Sequence, residues 1–191
     1  MTQTSTDLVP EKTQKKTDTV ARRSRLREFQ VQLVERMQAA RAGSATHVRQ
    51  LGIMIGNNRC LLNLKEAGEI MAVGPISKVP LTHDWFLGLA NVRGTLISVV
   101  DLARFQGQAP TAIDRESRIV VFGSSLSFNC GLLVSKVVGL RNVSEMDARA
   151  NTADNAPPWA AQQYVDRDSQ VWTEINLSLI VQDPQFLHVG L

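Results

Sequence analysis

Three histidines, two cysteines and 18 acidic residues are the material from which this 191-residue chain could build a reactive site. Catalysis or metal binding would require several of them to converge. His47 opens an apolar run and His188 stands close to the C-terminus. His83 precedes Asp84 at the start of a Trp85-Phe86 turn, where capping accounts for the pair better than catalysis does. Cys60 and Cys130 are far apart, form no C-x-x-C, and fall inside strand-like runs. They read as small buried hydrophobes in a reducing compartment, not as activated thiolates. The sequence contains no G-x-G-x-x-G, G-x-x-x-x-G-K-[ST], H-E-x-x-H or G-x-S-x-G. No catalytic, cofactor-binding or metal-binding residue is therefore assigned. A small cytoplasmic enzyme with an unrecognised active site stands as an alternative.

Arg93 invites a different chemistry. It lies in WFLGLANVRGTLISVVDLARF, Trp85 to Phe105. The segment reads as an apolar turn, a strand, a tight Arg-Gly corner, a second strand and an Asp-Leu exit. Asn91 and Gly94 suit the corner's backbone, and Asp101 can accept backbone hydrogen bonds at the exit. A corner has no need of a guanidinium. Arg93 is either a solvated side chain or a planar, multidonor contact for a partner, and the residues alone leave both open.

The elements that must hold this corner are short. Residues 1–17 are polar and poor in apolar side chains, which predicts disorder. Asp18 or Thr19 can cap a helix over residues 18–43. Its stripe of Leu26, Phe29, Leu33, Met37 and Ala40 advances in steps of 3, 4, 4 and 3. Such a stripe needs a surface, either the chain's own β units or a partner, and it is a candidate for docking on a partner. From residue 46 to 189 the chain changes to short apolar runs bounded by turns, as in small β-barrels. Gln50 to Ile55 and Arg59 to Leu64 read as a hairpin. Glu69 to Val73, Leu96 to Val100, Arg118 to Gly123, Phe128 to Val134, Val137 to Val143 and Val171 to Ile175 read as further strands. Trp85-Phe86 reads as a short helical turn stopped by Gly88, Asp147 to Pro158 as a loop, and Leu177 to Val181 as a short helix.

A weak repeat runs through this part. Leu61-Leu62-x-x-Lys65-x-x-Gly68 recurs as Leu132-Leu133-x-x-Lys136-x-x-Gly139 at an offset of 71. Chance is one explanation, since Leu and Gly are common. The order of elements repeats as well, each half ending in Asp101-Leu102 or Asn176-Leu177, which favours two similar β units.

Composition narrows the function. Up to Ala42 the chain carries nine Lys/Arg against five Asp/Glu, so of the net +3 the remainder holds −1. No basic face interleaved with aromatics follows Gly43, which argues against nucleic acid. No apolar run approaches the length of a membrane span and no signal peptide is evident, so the expected location is cytoplasmic. A peripheral module using Arg22, Arg23, Arg25 and Arg27 is a further alternative, although charge runs are usually solvated faces.

The Trp85–Phe105 segment resembles the signature of CheW-like adaptor domains, G-x-x-N-x-R-G followed by an apolar strand and D-L. Gly88, Asn91, Arg93, Gly94, Asp101 and Leu102 match it, and Glu69-Ile70 resembles the family's Glu-Ile pair. Lys65-Glu66-Ala67-Gly68 departs from the usual Val-containing approach to that pair. The resemblance runs from about Val48 to His188. It is greatest to the PilI-type branch, which serves type IV pilus twitching motility, on Arg25-Leu26-Arg27-Glu28-Phe29 and on Pro80 to Phe86. It implies a mainly β fold of two five-stranded SH3-like barrels around a shared core. It implies a non-enzymatic adaptor between a CheA-like histidine kinase and the cytoplasmic tip of a methyl-accepting chemoreceptor, recruited to receptor arrays at the inner face of the cytoplasmic membrane. By resemblance, Arg93, Glu69, Asn91 and Gly94 are receptor-side candidates, and Gly88 and Ile70 kinase-side candidates.

Overall fold

The computed structural model describes residues 49–152 and 156–191. The expected helix, with Leu26, Phe29, Leu33 and Met37, and the polar stretch before it lie outside the described residues. Eleven strands form among them: β1 (Arg49–Ile55), β2 (Asn58–Asn63), β3 (Ala67–Ala72), β4 (Phe86–Val92), β5 (Thr95–Val100), β6 (Arg118–Phe122), β7 (Cys130–Val134), β8 (Lys136–Asn142), β9 (Asp147–Ala150), β10 (Gln162–Val165) and β11 (Val171–Ile175). Three short helices join them: α1 (Leu102–Phe105), α2 (Leu177–Ile180) and α3 (Pro184–Leu187).

The strands make two sheets, one ordered β8-β1-β2-β11-β10-β9 and the other β3-β6-β7-β5-β4. The opening hairpin of each half of the chain is inserted into the sheet of the other half. β2 lies parallel to β11, pairing Leu62 with Ile175. β7 lies parallel to β5, pairing Leu132 with Val100. Val100 and Ile175 run directly into Asp101 and Asn176, whose side chains accept from Ala103 N–H and Leu179 N–H and so cap α1 and α2. The two halves are thus related element by element.

This relation corrects two expectations. The sheets hold six and five strands, not five and five. β8 next to β1 corresponds to β3 next to β6, which leaves β9 as the addition. Its counterpart is the isolated bridge of Ser77 to Leu89, beside β4 as β9 is beside β10. The sequence places Asp147 to Pro158 in a loop; Asp-Ala-Arg-Ala alternates, but Asp and Ala are poor strand formers, and pairing with β10 is what makes the segment a strand. The structural repeat also has an offset of 70, not 71, since Leu62 matches Leu132 through their pairs with Ile175 and Val100. One residue of register reverses a strand's faces, and the matching letters at 71 superimpose side chains that point in opposite directions.

A third correction concerns Gly88. Trp85-Phe86 does not open a helical turn; Phe86 begins β4, and Gly88 lies at a register shift within it. The period-two run of Gly88, Ala90 and Val92, all buried, outweighs the capping signal of Thr82 to Asp84.

The main core lies between the sheets. It gathers Leu51, Ile53, Cys60 and Leu62 from one side with Val120, Phe122, Cys130 and Leu132 from the other, closed by Leu102, Leu177 and Ile180. Trp85 stacks on Phe186 at 5.7 Å, and Phe105 meets both rings edge-on. Smaller clusters back each sheet separately, Ile97, Val99 and Ile119 in one and Leu61, Val143 and Trp172 in the other.

Candidate functional site

The corner between β4 and β5 is a two-residue turn. Val92 pairs with Thr95, and Arg93 and Gly94 take φ of 51° and 90°. Positive φ at both central positions is the hairpin geometry that matches strand twist. Gly94 supplies it freely, and Arg93 is held in it. The Asn91 carboxamide accepts from the Gly94 N–H at 2.7 Å and fixes the turn from below. Asn91 and Gly94 therefore shape the corner, while the Arg93 side chain is 81% exposed above it.

Arg93 is not solitary. Its Nη2 donates to Glu69 Oε1 at 2.7 Å. Glu69 lies on β3, at the opposite edge of the five-stranded sheet from β4, so the ion pair ties the two edge strands together. The Ser77–Leu89 bridge closes the same edge further along, with backbone bonds of 2.8 and 2.9 Å. The structure thus brings together four of the sequence-derived candidates, Glu69, Asn91, Arg93 and Gly94, at one rim. Ile70 follows Glu69 on β3, and the two side chains point to opposite faces. Ile70 is 40% exposed. Its counterpart by register is Leu140 on β8, since Ile70 pairs with Val120 as Leu140 pairs with Leu51. Leu140 is exposed as well. Repeating letters at an offset of 71 set Ile70 against Arg141, so the sequence alone does not point to Leu140.

Gly88 is buried, with φ of 130°. A Cβ there would stand 2.2 Å from the Ser77 carbonyl oxygen. This glycine admits the neighbouring chain and positions the edge; it does not present a surface of its own. Glu66, in the stretch that departs from the family pattern, is engaged internally. Its carboxylate accepts from the Leu177 N–H and the Ser178 hydroxyl, joining the β2–β3 turn to the start of α2.

Burial pushes the thiols of Cys60 and Cys130 up to about 12, so neither is a nucleophile near neutral pH. They occupy equivalent positions, opposite Thr173 and Ser98. A cavity of about 580 Å³ is walled by Phe105, Trp159 and amide side chains such as Asn58, Gln106 and Gln185. Asp183 is the carboxylate among the described residues lining it, and it accepts from Trp159 Nε1 and from the Gln185 N–H. His83 stacks on Trp85 at 5.9 Å and meets His188 edge-on. Among the described residues no group of three or more His, Cys, Asp or Glu is placed to hold a metal, and no helix is long and apolar enough to cross a membrane.

Two interlocked sheets around one core, with polar side chains committed to turns and caps and charged or apolar groups at the rims, define a β scaffold. The chain belongs to the CheW-like domain family, which matches residues 49–185 and so takes in every strand from β1 to β11. It is 28% identical to Protein PilI of Pseudomonas aeruginosa over 92 residues, 48% of this chain and 51% of that protein. It is 27% identical to Protein FrzA of Myxococcus xanthus over 93 residues, 49% of this chain and 58% of that protein. The chain thus spans little more than half the length of either relative. The fold is similar to that of the scaffolding protein TtCheW from Thermoanaerobacter tengcongensis, with a TM-score of 0.56, 20% identity, and coverage of 68% of this chain and 89% of that one.

Proposed function

We propose that this chain is a non-enzymatic chemosensory adaptor that couples a methyl-accepting chemoreceptor to a CheA-like histidine kinase. The observation that carries this reading is the family match over all eleven strands. The sequence resemblance to the PilI-type branch and the identity with Protein PilI favour an output in type IV pilus twitching motility. Among the described residues the Cys60 and Cys130 thiols are buried, and the Asp183 carboxylate in the wall of the cavity is held by Trp159 and the Gln185 N–H, which supports a non-enzymatic role. The adaptor works in the cytoplasm at receptor arrays.

Arg93 and Glu69 are the receptor-side contacts, held by the turn that Asn91 and Gly94 shape. An exposed guanidinium keeps donors to spare after one bond to a carboxylate. Ile70, on the other face of β3, is the kinase-side contact, and Gly88, on β4, keeps the opposite edge in shape against Ser77. The N-terminal stripe of Leu26, Phe29, Leu33 and Met37 docks on a partner of the same pathway. Size-exclusion chromatography of the full chain with a receptor cytoplasmic tip and a kinase regulatory domain tests the reading. A ternary complex is expected, together with no saturable ATP binding by the adaptor alone. Failure to retain either partner, or saturable nucleotide binding, would count against it.

A further inference from the structure

β9 is the outermost strand of the six-stranded sheet, and all four of its residues are exposed. It pairs with β10 on one side, and no strand or bridge meets its other side among the described residues. The register decides which backbone groups remain unused. Asn151 N–H donates to Ala161 O at 2.7 Å, one step beyond the pair of Ala150 with Gln162. Antiparallel bonds alternate along a ladder. Arg149 and Asp147 therefore turn their amides and carbonyls towards β10, while Ala148 and Ala150 turn theirs outward.

The side chains carry a second pattern. Asp147 and Arg149 share one face of β9, and the two alanines share the other. Asp147 belongs to none of the salt bridges among the described residues. Arg149 donates through Nε to the neutral Gln163 Oε1 at 3.3 Å.

We propose that β9 is a self-pairing edge through which two copies of this chain join antiparallel, in a register centred on Ala148. In that register Ala148 faces the partner's Ala148, and the two exchange a pair of N–H···O=C bonds. Asp147 then faces the partner's Arg149, and Arg149 the partner's Asp147, at the non-hydrogen-bonded positions where side chains lie closest. The backbone pattern and the charge pattern select the same register. Centring on Met146 would set Asp147 against the partner's Glu145, and centring on Ala150 would set Arg149 against the partner's Asn151. The arrangement is a two-fold, self-complementary contact. Alternating charge on an edge strand can also serve to keep it unpaired, and the two roles are separable by experiment. This inference does not rest on the adaptor reading.

Sedimentation equilibrium of the full chain over a wide concentration range is the test. The unaltered chain is expected to dimerise reversibly, and added salt is expected to weaken the dimer. Asp147→Arg and Arg149→Asp should each weaken it roughly tenfold, since each sets like charges opposite one another in both pairs. An equimolar mixture of these two variants should restore it, because every mixed pair is again opposite in sign. Ala148→Pro should abolish it and leave the β10 ladder intact, as the lost N–H faces outward. Should that variant fail to fold, the mixing experiment decides alone. A chain that stays monomeric throughout, variants that associate like the original, or a mixture that does not recover would each overturn the proposal.

Discussion

The two halves share a plan and use their equivalent hairpin turns differently. The β10–β11 turn, residues 166–170, closes on itself. The Asp166 carboxylate accepts from the Asp168 and Gln170 N–H groups and from Trp172 Nε1. The β4–β5 turn is tighter, is fixed by Asn91 alone, and projects Arg93 into solvent with Glu69 as its companion. The first turn directs its polar groups inward to stability, and the second leaves a cation at the rim. The edges differ in the same way: beside β4 a single Ser77 bridge completes the sheet, whereas beside β10 a whole strand, β9, stands open. A duplicated plan fixes the core, and the copies diverge at their turns and edges.

The largest effects should strike the shared plan. Leu62 and Leu132 are both fully buried in the core between the sheets. Leu62→Ala and Leu132→Ala should each cost about 2–5 kcal/mol, with similar losses in a denaturant titration. A large cost for one and a negligible cost for the other would break the equivalence of the halves.

Gly88→Ala comes next. Its Cβ must displace the Ser77 carbonyl and must hold a positive φ as well, for a loss of about 1–3 kcal/mol. The change should perturb the Ser77–Leu89 amides first in hydrogen exchange. Exchange protection unchanged at that bridge would remove Gly88 from its positioning role.

Asp166 provides a test in pH. Its hydrogen bond from Trp172, followed by that from the Gln170 amide, holds the carboxyl below its usual value. A lowered folded value stabilises the fold above the unfolded pKa of about 3.9 and loses that contribution as pH falls through the folded value. Asp166→Asn should therefore lower the melting temperature at neutral pH, and the gap from the original chain should narrow below about pH 4. A gap that is constant with pH would show that the carboxylate's charge has no part in closing the turn.

Much of this was legible in the sequence because the informative residues act locally. Asn91, Gly94 and Asp101 are turn and cap residues whose chemistry is written within a few positions, and both cysteines sit in strands as expected. What escaped notice depends on distant pairing. Asp147 to Ala150 becomes a strand only against β10, Gly88 needs Ser77 to explain it, and Glu66 is explained by Leu177 and Ser178, 111 and 112 residues away. Arg93 shows the same limit, for its ion pair with Glu69 joins strands from opposite edges of a sheet.

That ion pair carries the smallest expected stability effect and the sharpest functional one. An exposed pair is worth roughly 0–1 kcal/mol, so Arg93→Glu, Glu69→Arg and the double exchange should all melt close to the original chain. The decisive measurement is calorimetric titration of these variants with the receptor cytoplasmic tip. If the rim is a partner contact, Arg93→Glu loses binding, and the double exchange, which rebuilds the internal pair with its charges reversed, does not recover it. Recovery of binding in the double exchange, or undiminished binding by Arg93→Glu, would show that the pair only ties β3 to the β4–β5 turn and would contradict the account.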